Sequence, residues 1–348
     1  MAQINKPSLH FNSILYTGDG SSTQGITGVG FQPDWVWLKA RSSAKDHMLF
    51  DVVRGVQKSI RANTDAAEDT GTDYLTAFGT DGFTLGGNGK TNGNGTTYVA
   101  WNWKAANSQG SSNTNGSINT TYTSVNTTAG FSISKYVGNY TAGATVGHGL
   151  SSAPKLMFIK NLSTGGRYWY VYHVSLGNNS ELYLNAADGA PGSTGAWETT
   201  SPTNQVFTIG DHNGVNQNSN DHIAYCFEEK KGFSRFGKYI GNGNNNGAFV
   251  YTGFRPGWVM IKKNTGGENW WIFDSQRSAS NVTNDGIIAS GSQTEYADNN
   301  TFKIDILSNG FKVRNSDSAL NSTNGTYIFI SFAENPLVGT NKIPTVAR

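Results

Sequence analysis

Cysteine is nearly absent: Cys226 is the only one in 348 residues. No disulfide can form within the chain, so packing or association must supply its stability. Cys226 sits in the alternating stretch "HIAYCFEE" (222–229) and is expected to pack as a small apolar residue. Long hydrophobic runs are missing too. Nowhere do about 18 apolar residues follow one another, which argues against a membrane-spanning helix. The opening "MAQINKPSLHFNS" has neither an apolar h-region nor a small-residue cleavage site, so the expectation is a soluble chain made in a cytoplasm without an export signal. Charge is scarce and balanced at 26 basic against 24 acidic residues, a net of +2. No broad basic field exists to attract nucleic acid or to draw the chain into an anionic membrane. The histidines His10, His47, His148, His173, His212 and His222 fall at no metal-ligand spacing and there is no C-x-x-C, so neither a metal nor a cofactor is expected.

What the chain does have is glycine, 43 residues of 348, well above the usual roughly 7%. Asn, Ser and Thr crowd the segments between short apolar runs, the composition of many turns joining many strands. It also repeats itself. "GFQPDWVWLK" (30–39) returns as "GFRPGWVMIK" (253–262) and, more divergently, as "GLSSAPKLMFIK" (149–160). Upstream stand "YTGDG" (16–20), "YVGNY" (136–140) and "YIGNG" (239–243); downstream come Phe83, Phe207 and Phe311, then "YVAWNW" (98–103), "HIAYCF" (222–227) and "YIFISF" (327–332). Four anchors in constant order predict three tandem units at 8–108, 121–232 and 233–336, with a tail at 337–348. The polar Gly/Ser/Asn-rich run around 109–120 reads as a flexible linker.

The hydrophobic period within each unit is two. Trp35 and Trp37 share one face of "WVWLK" while Val36 and Leu38 share the other, as in a central strand. In "YVAWNW", Val99, Trp101 and Trp103 form the apolar face and are expected in the core of the first unit. Short strands between Asn/Gly turns predict an all-β chain of three tandem β-sandwich repeats, of jelly-roll or concanavalin-like type. One helical turn is expected within 65–78, capped by Asp65.

"NKPSLHFNSILYTGDG", "ITGVGFQPDWVWLKARS", "FDVVRG" and "YVAWNWKA" resemble the repeated domains of structural and tail-fibre proteins of marine tailed bacteriophages. The resemblance is close over the first 104 residues, weaker in the third unit and weakest in the middle one, where "YHVSL" (172–176) replaces "FDVVR" (50–54) and "FDSQR" (273–277). It implies a concanavalin-type sandwich and a virion component whose partners are other virion proteins. A fold of this kind does not by itself assign an activity.

Several motifs invite sharper readings. "GGNGKT" (86–91) is no phosphate loop, because the required first glycine is Thr84 and the segment joins two strands. Asp51 with Arg54, and Asp274 with Arg277, read as structural ion pairs: three apart on a strand they face opposite sides, so a bend must bring them together. Their recurrence favours a structural role, since an active site needs no second copy. The junction "EEKKGFSRFGK" (228–238) reads as a solvated charged stretch. The glutamates do not align between units as a glycosidase's two carboxylates would require, and no catalytic residue is assigned. Trp197, in the loop-like "GAPGSTGAWETTSPTN" (189–204), either stacks on a sugar from an exposed loop or tucks back as an anchor. With Asp211 and Asn213 of the "GDHNG" turn it forms the expected ligand-binding set. The expectation is therefore a non-enzymatic virion protein, a homo-oligomer in the virion, that binds host-surface glycan in a tail or fibre. The alternatives are a capsid or tail decoration (cement) protein and, more distantly, a glycan depolymerase.

Overall fold

The computed structural model describes residues 3–190, 192, 195–339 and 344–346. Among these the chain is all-β, its strands interrupted only by a 3-10 turn and two four-residue helices. The first large sheet runs from Phe11–Thr17 through Thr97–Trp103, Trp35–Ala40, Met48–Asp51 and Lys58–Arg61 to Asp69–Thr70. A small sheet of Gln24–Thr27, Gly82–Leu85 and Leu75–Gly79 accompanies it. The second large sheet holds Thr120–Asn126, Phe131–Val137, Asp221–Phe227, Leu156–Asn161, Tyr170–His173 and Leu182–Tyr183, beside the pair Ala144–Gly147 and Val206–Ile209. The third holds Ser234–Ile240, Thr326–Pro336, Phe254–Lys263, Trp271–Asp274 and Ile287–Ile288, beside Phe249–Tyr251, Gly310–Val313 and Ile304–Leu307.

Register matches across the three. Trp35 lies between Trp103 and Asp51, Leu156 between Phe227 and His173, and Trp258 between Phe332 and Asp274. Alternation along these strands then sends side chains to two different cores. Val36, Leu38, Met48 and Phe50 meet Phe83 and Leu85 of the small sheet, and the second and third sheet pairs close over cores of their own. The other face holds Trp35, Trp37, Trp101 and Trp103, which join Leu156, Phe158, Tyr225 and Phe227 of the second sheet and Trp258, Met260, Ile330 and Phe332 of the third in one central core. Trp101 and Trp103 are thus buried, but not inside the first sandwich as expected. The opposite face, Tyr98, Ala100 and Asn102, is the one turned into the first sandwich, and it is buried as well.

The three sheets contact one another in a closed ring. Trp35 stacks on Tyr225 at 4.5 Å, Phe227 meets Phe332 at 5.6 Å, and Trp103 meets Trp258 at 5.9 Å. Three matched side chains reach across to the next sheet's backbone: Trp169 Nε1 donates to Arg61 O, Trp270 Nε1 to Tyr183 O and His47 Nε2 to Ile288 O, each at 2.9 Å. The His47 tautomer follows from Trp37 Nε1 donating to its Nδ1. Backbone bonds repeat the cycle, Glu68 N to Leu162 O, Ala190 N to Asn264 O and Glu295 N to Arg41 O. So do three buried lysines, Lys39, Lys160 and Lys262, whose ammonium groups reach the carbonyls of Ser292, Asp65 and Ala187 respectively.

Other expectations require correction. The run at 109–120 is no free linker: Ser111 pairs with Thr123, Ile118 pairs in parallel with Val146, and Ile118 enters the second sandwich's core. Its glycines serve close approach, since a Cβ on Gly110 or Gly116 would fall 1.9 or 2.3 Å from the carbonyl oxygens of Thr123 and Thr145. No helix forms within 65–78, which is drawn out along the neighbouring sheet while Asp65 gives its carbonyl to Lys160 and Arg167. Tertiary contact overrides the weak local propensity there. The charged junction is buried only in part: Glu228 takes hydrogen bonds from Ser151 and Ser152 and pairs with Lys230, and Phe233 and Phe236 enter the central core, while Lys231, Arg235 and Lys238 stay exposed. The 337–348 tail lies partly outside the described residues; Val338 bridges Pro344.

Direction matters for function. Ile4 N binds Lys231 O, Lys104 N binds His10 O and Ala333 N binds Phe233 O, so residues 4–10, 104, 231–233 and 333 gather at one end of the strands. The loops after Lys39, Lys160 and Lys262 lie at the opposite, distal end.

Candidate ligand-binding site

Each sandwich fixes its distal loops with one buried asparagine, Asn92, Asn216 or Asn321. Asn216 Nδ2 donates to Thr141 O and Gly210 O at 3.0 Å, and its Oδ1 accepts from the amides of Asn139 and Tyr140. Asn92 holds Asp19 and Gly20 in the same way, and Asn321 Oδ1 accepts from Asn242 N. A side-chain acceptor for the amide that follows each asparagine repeats too. Tyr98 and Tyr327 accept from Gly93 N and Ser322 N through their hydroxyls, and His222 accepts from Gln217 N through Nε2. The spacing, six residues from each asparagine to Tyr98, His222 or Tyr327, was legible in the sequence and went unread.

On this shared frame the middle loops differ. At matched turn positions Gly20 and Gly243 adopt φ of +68° and +65°, the left-handed region that glycine enters freely; between them Tyr140 adopts +57°. A bulky residue there costs about 1–2 kcal/mol, and its ring is 47% exposed. Beside it lies an open depression of about 410 Å³ lined by Tyr140, Gly166, Arg167, Tyr168, Tyr170, Asp211, His212 and Asn213. Tyr168, 43% exposed, is held by stacking on Tyr183 at 4.7 Å. Matched positions carry Asp46 and Asn269 in place of Tyr168, and Asn88 and Asp317 in place of His212. His212 Nδ1 accepts from Gly214 N, which leaves Nε2–H to donate to Tyr170 Oη at 3.2 Å. Burial, with the nearby Arg167 guanidinium, holds this imidazole below its ordinary range, so it is neutral. Burial likewise raises the Tyr170 phenol and keeps it protonated.

The expected binding set is therefore split. Asp211, exposed, and Asn213, half-buried, line the depression. Trp197 does not: it is 1% exposed, packed edge-on against Tyr172 at 5.8 Å within the second sandwich's core, and offers no face to a ligand. Its long loop folds back because the indole buries more apolar surface there than any exposed placement could. Sequence reasoning missed Tyr140, Arg167, Tyr168 and Tyr170. One signal was the fifth letter of the three matched turns, Gly in "YTGDG" and "YIGNG" but Tyr in "YVGNY".

The repeated ion pairs have a different use. A turn after Asp51 brings Arg54 Nε to Asp51 Oδ2, and a turn after Asp274 does the same for Arg277, with all four side chains buried. Glu68 and Glu295 complete the two clusters. Each aspartate also accepts from a neighbouring sheet, Asp51 from Tyr225 at 2.7 Å and Asp274 from Trp101 at 3.0 Å. At the third contact the facing residue is Ile330, which has no donor. There the set becomes His173, Leu176 and Ala190, and His173 donates to Phe329 O at 3.2 Å. These clusters join sheets, and Arg277 also borders a polar hollow of about 440 Å³ whose described lining has no aromatic ring.

Among the described residues no group of three or more His, Cys, Asp or Glu is placed to hold a metal ion, and no helix is long and apolar enough to cross a membrane. No curated protein and no solved structure matches the chain. One family model runs unbroken through all three sheet pairs, matching residues 6–336, and the chain belongs to that family, described as a domain of unknown function (DUF7483).

Proposed function

We propose that this protein is a bacteriophage virion component that binds a host-surface glycan through the Tyr140–Tyr168–Asp211 depression. The observation that carries the reading is Tyr140. A strained, exposed aromatic stands where the two matched turns have glycine, and strain of this kind persists at binding sites because the ring is needed there. Its ring and that of Tyr168 supply apolar faces for the C–H side of a sugar, while Arg167, Asp211 and Asn213 supply hydrogen bonds to hydroxyls. The site's distal position, away from the end where residues 4–10 and 333 meet, leaves that other end for contacts with other virion proteins. The virion assignment rests on the resemblance of the repeated motifs to phage structural and tail-fibre domains. Weak single sites gain from repetition, so several copies in a virion would multiply the contact.

A binding role is favoured over a depolymerase because Asp211 is the one carboxylate among the described residues that line the depression, whereas glycoside hydrolysis uses two. A decoration role has its own support in the exposed Phe249 and Tyr251 of an edge strand, 47% and 58% accessible, which a neighbouring subunit could cover. The test is Tyr140→Gly, the residue of the matched turns. Melting temperature should be unchanged or higher, while adhesion of multivalently displayed protein to host cells is lost. Adhesion that survives this change, or glycan shortening by the purified protein, overturns the proposal.

A further inference from the structure

Resting on the reading of the distal depression as a saccharide site, we infer that its ligand is a sugar bearing a carboxylate, such as a hexuronic acid. The inference comes from Arg167. Its main chain is fixed on both sides, N donating to Asp65 O at 3.3 Å and O accepting from Lys160 Nζ. Gln217 Oε1 orients its guanidinium by accepting from Nε at 3.2 Å. Among the described residues neither terminal guanidinium nitrogen has a hydrogen-bond acceptor or an ion-pair partner, although the group lines the depression. Among the described residues every other arginine side chain is engaged: Arg54 and Arg277 are saturated by aspartate, glutamate and backbone carbonyls, and Arg41, Arg61, Arg235, Arg255 and Arg314 pair with Glu295, Asp69, Glu229, Glu334 and Asp305. Arg167 is oriented and left open.

An oriented fork with two parallel N–H donors matches the two oxygens of a carboxylate. Asp211, exposed on the same depression, likewise joins no ion pair among the described residues, with Arg167 or any other. Two opposite charges held apart suit a ligand with a carboxylate at one place and hydroxyl donors at another. The matched positions carry Lys45 and Glu268, so this fork belongs to the middle sandwich alone. The neutral His212 adds no competing positive charge, and its Nε2–H is already spent on Tyr170.

The test uses the full chain and two probes that differ only at C5 of the ring, methyl β-D-glucuronide and methyl β-D-glucoside. Binding is followed by calorimetry or by NMR of the protein. The glucuronide should bind about tenfold or more tightly, the worth of a charge-assisted hydrogen-bond pair, and the advantage should shrink with added salt. Arg167→Gln should abolish the preference, lowering glucuronide affinity about tenfold more than glucoside affinity because Gln can still donate to a hydroxyl but carries no charge, and Arg167→Lys should keep part of it. Asp211→Asn should weaken the glucoside yet leave or improve the glucuronide, because a like charge has been removed. Melting temperatures of the three variants establish that each is folded. Equal affinity of the two probes, or a preference that survives Arg167→Gln, overturns the carboxylate assignment and leaves the saccharide site standing. Failure of both probes to bind removes the saccharide site and this inference with it.

Discussion

At the scale of single residues, the second sandwich shows how an ion cluster is replaced as a set. Asp274, Arg277 and Glu295 form a buried group whose aspartate also accepts from Trp101, and the matched residues His173, Leu176 and Ala190 are neutral where the facing residue is Ile330. Leu176 and Ala190 pack against the central core in place of the ions. Removing one member of such a group leaves an uncompensated buried charge, whereas removing all of them does not. Arg277→Leu alone should lower stability by about 3–5 kcal/mol in denaturant unfolding. Adding Asp274→His and Glu295→Ala should recover at least half of that, the remaining deficit being the orphaned Trp101 indole N–H, about 1–3 kcal/mol, together with the half-buried Arg41 that loses Glu295. A triple variant no more stable than Arg277→Leu would show that the three residues do not act as a set. The pairing of Asp with Arg was readable from their recurrence; its partners on other sheets were not, because Tyr225 and Asp51 are 174 residues apart and nothing local announces the contact.

At the scale of elements, alternation was a good guide and composition a poor one. Two apolar faces on "WVWLK" correctly implied a strand buried on both sides. The pattern could not say that the second face packs on two other sheets, since a residue's period fixes its face but not what covers it. Polar, glycine-rich composition suggested a flexible linker, yet glycine there permits a strap to lie against the carbonyls of Thr123 and Thr145. Ile118, one apolar residue in a polar run, was the clue to that docking. Proteases should therefore spare this segment, whose backbone is paired, and cleave first elsewhere. Ile118→Asp, which puts an unpaired charge into the second sandwich's core, should open it to cleavage between 107 and 120 and lower the melting temperature. Rapid cutting of the unchanged protein within this stretch would contradict the docked strap. Asp211 and Asn213, singled out through their turn, do line the depression, whereas Trp197, open between an exposed stacking role and a buried anchor, is the anchor, because a loop's return to the core depends on tertiary packing alone.

At the scale of the whole molecule, the central core changes what the sandwiches can do separately. Trp103 touches Phe11 and Trp35 of its own sheet and Trp258 and Phe332 of the third, at ring separations of 4.5 to 5.9 Å. An isolated first sandwich would expose Trp35, Trp37, Trp101 and Trp103, an apolar patch that a stable soluble monomer does not carry. The three ring contacts, the three cross-sheet indole or imidazole bonds and the three buried lysines all link neighbours in the same cyclic order, so loosening one sandwich removes partners from both others. Unfolding should accordingly be a single calorimetric transition with matching calorimetric and van't Hoff enthalpies, although the chain is longer than most two-state proteins. Trp103→Ala, which truncates a fully buried aromatic, should lower stability by about 3–5 kcal/mol and move that one transition as a whole. Residues 8–108 expressed alone should self-associate or remain unfolded, because their outer face then has no partner. Two or more separate transitions, with Trp103→Ala shifting only one of them, would show that the sandwiches are independent domains and that the central core is a contact between finished parts. A single shifted transition means instead that each sandwich is completed only by the other two, which would hold the distal loops of the middle one, Tyr140 and Arg167 among them, on a rigid base.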